Sequence, residues 1–103
     1  MGKYFRLDDS IPCVADAIRQ TATKKQDFAT HAEIVAHMMN DPESRALLDA
    51  SCVKSPKAPD RIASRMIAWF SKGFTSNGPR CERFVNEFDR KKIGGRWAYK
   101  LKD

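Results

Sequence analysis

Residues 59–74, PDRIASRMIAWFSKGF, form the most regular stretch of this 103-residue sequence. At 3.6 residues per turn, seven apolar residues fall on one broad side of a helix: Ile62, Ala63, Met66, Ile67, Trp69, Phe70 and Phe74. The opposite side carries Arg61, Ser64, Arg65, Ala68 and Lys72. Gly73 is a residue that can end such a helix. The stretch therefore predicts an amphipathic helix over 59–73, with Trp69 in the core and a basic outer face.

Two helices are predicted at the start of the chain. Ser10 is a good N-cap, Pro12 follows it in the first turn, and an apolar stripe continues to about Thr21. After a polar connection, Thr30 and Glu33 have the spacing of a capping box, which begins a second helix. The buried faces of the two helices are expected to consist of Ile11, Val14, Ala15, Ile18, Ile34, Val35, Met38 and Met39.

A third helix and a linker follow. Asp41 is a favoured N-cap and Pro42 belongs at the first helical position, so we expect a helix from Pro42 to about Ala50. Pro56 and Pro59 lie close together, and each removes a backbone donor and favours extended geometry before it, so we expect 53–58 to be a linker. This linker separates residues 1–52, three supporting helices, from residues 59–102.

Residues 79–89 favour a further helix, because Cys81, Phe84, Val85 and Phe88 are spaced i, i+3, i+4, i+7. A strand over 84–88 would place Asn86 between two phenylalanines on the same face, so the helix is preferred.

The chain closes with a predicted β-hairpin that turns at Gly94–Gly95. Trp97, Tyr99 and Leu101 alternate on the return strand and are expected to face the core. The fold class is therefore mainly α: a small helical bundle with a C-terminal β-hairpin. Its length fits a single domain.

Positive charge is concentrated in the second half of the chain. The net charge is +6, but residues 1–53 have six Lys or Arg against eight Asp or Glu, whereas residues 54–103 have thirteen against five. Such asymmetry indicates one side that faces a polyanion, most often nucleic acid. No apolar run has the ~18 residues of a membrane span, and a signal peptide is not expected. We therefore expect a cytoplasmic protein with no membrane partner.

Catalytic and metal-binding motifs were not found in the sequence. Cys13, Cys52 and Cys81 have the spacing of neither a zinc site nor a disulfide framework, and are expected to be reduced thiols, two or more of them buried. His31 and His37 lie six residues apart on one helix and cannot bind one metal from that helix alone. The sequence predicts no enzyme activity, no cofactor and no metal.

The order of helix, turn, helix and basic hairpin over residues 59–102 resembles the winged helix-turn-helix family of DNA-binding domains. The resemblance implies that 59–73 is the positioning helix, 79–89 the recognition helix in the major groove, and 90–100 the wing. It implies double-stranded DNA as partner and a role as a small regulator or accessory factor. The lack of targeting signals in the sequence leads us to expect a bacterial or phage system. The contact residues it implies on the recognition helix and wing are Arg80, Arg83, Asn86, Arg90, Lys91, Lys92 and Arg96.

A competing assignment remains open, because 59–73 is long for a positioning helix and the following turn is long too. In that assignment 59–73 is the recognition helix and presents Arg61, Ser64, Arg65 and Lys72, while 82–90 is the first wing strand. Two other functions also remain open. Met38, Met39, Leu47 and Leu48 could dock a protein partner or a second copy, and the pairs Trp69–Phe70 and Trp97–Tyr99 could stack on RNA or single-stranded bases.

Overall fold

A computed structural model describes residues 7–53, 57–76 and 82–102, with the backbone alone at 7, 8, 82 and 83. Its elements are α1 (Leu7–Lys25), α2 (His31–Asn40), α3 (Pro42–Val53), α4 (Pro59–Ser76), α5 (Glu82–Glu87), β1 (Phe88–Ile93) and β2 (Arg96–Leu101). The two strands form an antiparallel hairpin at the C-terminal end of the bundle. The predicted fold class, a small helical bundle with a C-terminal β-hairpin, is confirmed.

Helix α4 lies at the centre of the bundle and contacts α1, α2, α3 and α5. Six of the seven residues of its predicted apolar side are buried: Ile62, Ala63, Met66, Ile67, Phe70 and Phe74. The placement of Trp69 in the core was wrong, because this side chain is only partly buried and packs against the rim of the core. Position 69 lies where the apolar side of α4 meets its basic side, next to Ala68 and Lys72, which are exposed.

Helix α1 is longer than predicted at both ends. Pro12 lies inside it rather than in its first turn, and Ser10 is a buried helical residue rather than an N-cap. A proline beyond the first turn removes one backbone hydrogen bond and crowds the carbonyl four residues earlier, but its φ is compatible with a helix. Helix α1 continues through Pro12. The predicted stripe of Ile11, Val14, Ala15 and Ile18 is buried, and Ala22 extends it by one turn.

The capping box that begins α2 is confirmed. The Glu33 amide donates to Thr30 Oγ1 over 3.2 Å, and the Thr30 amide donates to Glu33 Oε1 over 2.9 Å. Lys25 at the end of α1 adds hydrogen bonds to Glu33 Oε1 (2.7 Å) and to the Phe28 carbonyl (2.9 Å). These bonds fix the angle at which the chain turns from α1 into α2. Asp41 accepts from the Ser44 amide over 3.0 Å and caps α3, as predicted.

The predicted ends of the helices after residue 59 were wrong. Helix α4 continues through Gly73 to Ser76, because Phe74 is buried and Thr75 Oγ1 bonds back to the Ser71 carbonyl over 2.9 Å. Within the described residues α5 spans Glu82–Glu87, and Phe88 and Asp89, assigned to a helix over 79–89, belong to β1. The alternative strand over 82–90 was also wrong, since 82–87 are helical. Residues 77–81 lie outside the described residues.

The hairpin has the register expected of a turn at Gly94–Gly95, which both have positive φ (62° and 83°). Ile93 pairs with Arg96, Arg90 with Tyr99, and Phe88 with Leu101. The side chains of Phe88, Arg90, Tyr99 and Leu101 therefore share one face of the sheet. On the outer side of β2, Ala29 and Tyr99 exchange two backbone hydrogen bonds of 2.7 and 3.1 Å.

Tyr99 fixes this hairpin to the bundle. Its ring is fully buried, with the centroids of Phe70 and Phe74 each 5.4 Å away in edge-to-face contact. Its hydroxyl lies 2.7 Å from Ser71 Oγ on α4. The predicted core face is confirmed for Tyr99, while Trp97 and Leu101 are partly buried against the core.

Each helix in the described part of the chain is too short or too polar to cross a lipid bilayer.

Candidate nucleic-acid interface

A groove of about 570 Å³ between α2, α4 and the hairpin turn collects positive charge. Its lining residues are His31, Ala32, Val35, Lys57, Asp60, Arg61, Ser64, Arg65 and Arg96, and we call this surface the basic groove. Four of these residues are Lys or Arg, and Asp60 is the single acid among them. The basic groove therefore attracts anions rather than metal ions or cationic peptides.

Three elements bring these side chains together. Arg61 and Arg65 lie one turn apart on α4 and point the same way, since residues at i and i+4 share a helix face. Arg96 is the first residue of β2, directly after the glycine turn, and His31 is the first residue of α2. The first turns of α2 and α4 both contribute to the lining, and the positive ends of their helix dipoles add to the attraction for anions.

His31, Ser64 and Arg96 contact one another in the basic groove. Arg96 Nη1 donates to His31 Nε2 over 3.0 Å and lies 3.5 Å from Ser64 Oγ, while the Ser64 hydroxyl is 2.7 Å from the same imidazole nitrogen. A guanidinium can only donate, so this contact requires the neutral imidazole tautomer that has its proton on Nδ1. Burial lowers the pKa of His31, and the nearby charge of Arg96 lowers it further.

Several helical cations of the described residues have an acidic partner, whereas the arginines of the basic groove have none among those residues. Arg19 forms a bidentate pair with Glu87, and Arg45 pairs with Asp49 over 3.0 Å. Arg61, Arg65 and Arg96 form no ion pair with any acid of the described residues. Their charge is therefore available to a ligand.

The positive surface continues along α4 beyond the basic groove. A smaller depression of about 200 Å³ is lined by Arg65, Ala68, Trp69 and Lys72, so Arg65 borders both concavities. Lys72 Nζ lies 4.9 Å from the centre of the Trp69 ring. We call Arg61, Arg65 and Lys72 the α4 stripe; it spans about 16 Å at 1.5 Å per residue.

The other predicted hairpin cations lie against aromatic rings. Arg90 is partly buried, with its guanidinium carbon 3.8 Å from the Trp97 ring centre and 4.8 Å from that of Phe74. It also donates to Thr75 Oγ1 over 2.8 Å. Lys91 lies 4.7 Å from the Phe28 ring and Lys92 lies 5.2 Å from the Trp97 ring, but both are exposed. Arg90 thus has a packing role that the two lysines do not share.

Helix α5 offers little of the surface expected of a recognition helix. Phe84 is buried and Glu87 is held by Arg19, while Asn86 is exposed. Arg80 and the side chain of Arg83 lie outside the described residues. Of the eleven residues predicted to face DNA in one assignment or the other, the structure brings Arg61, Ser64, Arg65 and Arg96 into one groove and places Lys72 next to it.

Two side chains of the basic groove that can hold a positive charge, His31 and Lys57, were not among the predicted contacts. Lys57 follows Pro56 in the linker, which also contains Lys54, and this pair of positive charges was the available signal. His31 had no such signal, because nothing in the local pattern links position 31 to positions 64 and 96. Its role depends on tertiary packing.

A second groove, of about 470 Å³, has the opposite charge. Asp9, Asp16, Asp41 and Glu43 line it around Cys13 and Ser44. Burial raises the pKa of the Cys13 thiol, whose sulfur lies 3.1 Å from Ser44 Oγ.

Cys13 and Cys52 are free and partly exposed, so the prediction of two or more buried thiols was wrong for both, and Cys81 lies outside the described residues. No group of three or more His, Cys, Asp or Glu in the described ranges is arranged to hold a metal ion.

Two of the four residues that were expected to dock a protein partner through α2 and α3 are not at the surface. Met38 and Leu48 are completely buried in the core, and only Met39 and Leu47 are partly exposed. The four side chains therefore do not form an apolar surface for a partner.

No protein-family model, no curated protein and no solved structure matches this chain.

Proposed function

We propose that this protein binds double-stranded DNA through the α4 stripe and the basic groove. The observation that carries the proposal is the convergence of Lys57, Arg61, Arg65 and Arg96 in one groove whose lining includes a single acid. Cations that neutralise backbone phosphates release condensed counterions, and this release drives association with duplex DNA. The proposed role is that of a small regulator or accessory factor in the cytoplasm of a bacterial or phage system.

Within a winged-helix arrangement, the geometry favours α4 over α5 as the helix that faces DNA. Helix α4 has 18 residues and an exposed basic stripe, whereas α5 has six residues and uses Glu87 in an ion pair. The major groove, about 12 Å wide, accepts one α-helix. Arg96, Lys91 and Lys92 at the turn end of the hairpin then supply the backbone contacts of a wing.

The test measures duplex affinity against salt concentration for two matched double variants. Arg61→Ala/Arg65→Ala removes two cations of the α4 stripe. Lys24→Ala/Lys102→Ala removes two exposed cations that line neither the basic groove nor the depression beside Trp69. Each lost phosphate contact lowers the slope of log affinity against log salt by about 0.9, so the first variant loses about 1.8 units of slope. The control retains the wild-type slope.

Equal slopes for the two variants would mean that net charge, and not the α4 stripe, governs binding. If both double variants bind the duplex with wild-type affinity, the proposed interface is wrong. Circular dichroism of each variant confirms that the fold is intact.

A second candidate, single-stranded nucleic acid, is favoured by one observation. Trp69 lies partly exposed between Arg65 and Lys72, an arrangement in which a base can stack while cations hold its phosphates. A single strand of equal length is therefore included in the titrations. If the single strand binds more tightly than the duplex and Trp69→Leu removes that advantage, the ligand is single-stranded.

A further inference from the structure

In the basic groove, the guanidinium of Arg96 contacts an imidazole, that of His31. A guanidinium usually pairs with a carboxylate, yet Arg96 here donates to a neutral imidazole and forms no ion pair with a described acid. The same imidazole nitrogen lies 2.7 Å from the hydroxyl oxygen of Ser64. Two groups able to donate hydrogen bonds, the Arg96 guanidinium and the Ser64 hydroxyl, thus converge on a nitrogen that an incoming anion can replace as acceptor.

We propose that His31, Ser64 and Arg96 form a phosphate subsite in which the ligand's phosphate replaces His31 Nε2 as the acceptor, and His31 takes up one proton from solvent as the phosphate binds. This inference rests on the proposed function, because the phosphate is that of the nucleic-acid backbone. The proton adds to Nε2 and no covalent bond breaks. Arg96, the Ser64 hydroxyl and the protonated Nε2 then all donate to phosphate oxygens.

Proton uptake follows from the requirements of the two partners. A neutral imidazole with a lone pair on Nε2 repels a phosphate oxygen, whereas an imidazolium donates to it from the same position. Charge-assisted hydrogen bonds of this kind are about twice as strong as neutral ones. A phosphate that enters between Arg96 and His31 is therefore bound more tightly when the imidazole is protonated.

The charged groups around His31 determine the direction of the effect. Arg61, Arg65 and Asp60 face the basic groove from α4, Lys57 from the linker and Arg96 from the hairpin, while Ala32 and Val35 of α2 are apolar. The excess of cations opposes a charged imidazole in the free protein, consistent with its lowered pKa. A bound phosphate supplies the opposite charge and raises the pKa of His31.

The consequence for binding is a pH dependence of defined sign. A group with a higher pKa in the complex than in the free protein makes binding tighter as the pH falls. Affinity increases by up to tenfold per pH unit between the bound and the free pKa of His31 and is level outside that window. Backbone phosphodiesters keep one charge throughout this range, so they contribute no titration of their own.

The experiment follows the His31 imidazole by NMR titration of the whole chain in three states: alone, with a short duplex, and with inorganic sulfate, an oxyanion of constant charge. Duplex affinity is measured over the same pH range for the wild type, His31→Gln and His37→Gln. Glutamine retains a polar side chain but does not titrate. The control residue, His37, lies on the same helix but does not line the basic groove.

We expect the duplex to raise the pKa of His31, and His31→Gln, but not His37→Gln, to abolish the pH dependence of affinity. If both anions raise the pKa of His31, the subsite accepts any tetrahedral oxyanion. If the duplex alone raises it, the subsite is specific for the phosphates of the polymer. If the duplex binds and the pKa of His31 stays constant, the subsite is wrong and the proposed function stands. If sulfate raises the pKa but no duplex binds, the subsite stands and the proposed function fails. If the duplex does not bind and sulfate leaves the pKa of His31 unchanged, both the subsite and the proposed function fail.

Discussion

Arg90 is held on several sides by the protein itself. Its guanidinium lies over Trp97, approaches Phe74 and donates to Thr75 at the end of α4. Cation–π contacts contribute about 0.5–2 kcal/mol, more when the cation is desolvated, and a hydrogen bond contributes about 1 kcal/mol. Arg90 therefore connects the hairpin to α4, and its charge is partly screened from a ligand.

We accordingly expect Arg90→Ala to reduce stability rather than to act selectively on DNA binding. The free energy of unfolding in urea should fall by about 1–3 kcal/mol. Arg65→Ala, which removes an exposed arginine of the α4 stripe, should change it by less than about 0.5 kcal/mol. Similar unfolding midpoints for the two variants would show that the ring contacts of Arg90 contribute nothing.

The position of Arg90 on the core face could have been predicted from the sequence. A two-residue turn at Gly94–Gly95 pairs position 90 with 99, and paired residues share a face. Counting back from the turn therefore places Arg90 beside Tyr99, on the buried side. The contact of His31 with Arg96, 65 residues apart, had no such local rule, because it depends on how α2, α4 and the hairpin pack.

Among the elements, α2 has the most completely specified start. The reciprocal bonds between Thr30 and Glu33 satisfy two backbone donors, and Lys25 strengthens the arrangement from α1. These hydrogen bonds lower the pKa of Glu33, with the bond from Lys25 as the largest cause. The box was predictable because all its atoms lie within four consecutive residues.

Thr30→Ala should lower the free energy of unfolding by about 1 kcal/mol, as expected for the loss of an N-cap. Thr23→Ala is the matched control, since Thr23 is an exposed residue inside α1, and alanine there should be neutral or slightly stabilising. Thermal melts of both variants at neutral pH give the comparison. Equal melting temperatures would mean that the capping box does not stabilise α2.

The ends of α4 and α5 were less predictable than the start of α2 for a physical reason. Gly73 is a common helix terminator, but burial of Phe74 continues α4 past it. Phe84 and Phe88 fit one helix face by spacing, yet they are buried from two different elements, a helix and a strand. Tertiary burial decided both boundaries, and local spacing does not contain that information.

At the scale of the whole molecule, the hairpin is part of the core and not an appendage. Phe88 and Tyr99 belong to the core cluster, and Phe70 of α4 contacts both rings. A chain that ends at Glu87 loses both aromatic side chains, each worth about 3–5 kcal/mol when truncated. That loss is comparable with the total stability of a small domain.

We therefore expect the chain that ends at Glu87 to show no cooperative thermal transition. Ile93→Lys, at the 39% exposed position before the glycine turn, should retain the wild-type transition. Differential scanning calorimetry distinguishes the two. A sharp transition in the shortened chain would mean that the hairpin is a separable wing on an independently stable bundle.

The bridge between Ala29 and Tyr99 also affects how the protein behaves at high concentration. It occupies the outer edge of β2 at Tyr99, so within the described residues β1 presents the more open edge of the sheet. That strand has the sequence FDRKKI, in which four consecutive residues are charged. Two copies that approached edge to edge would bring Lys91 and Lys92 close to the same residues of the other copy, and like charges oppose such pairing. The charges of β1 therefore protect this small sheet from aggregation.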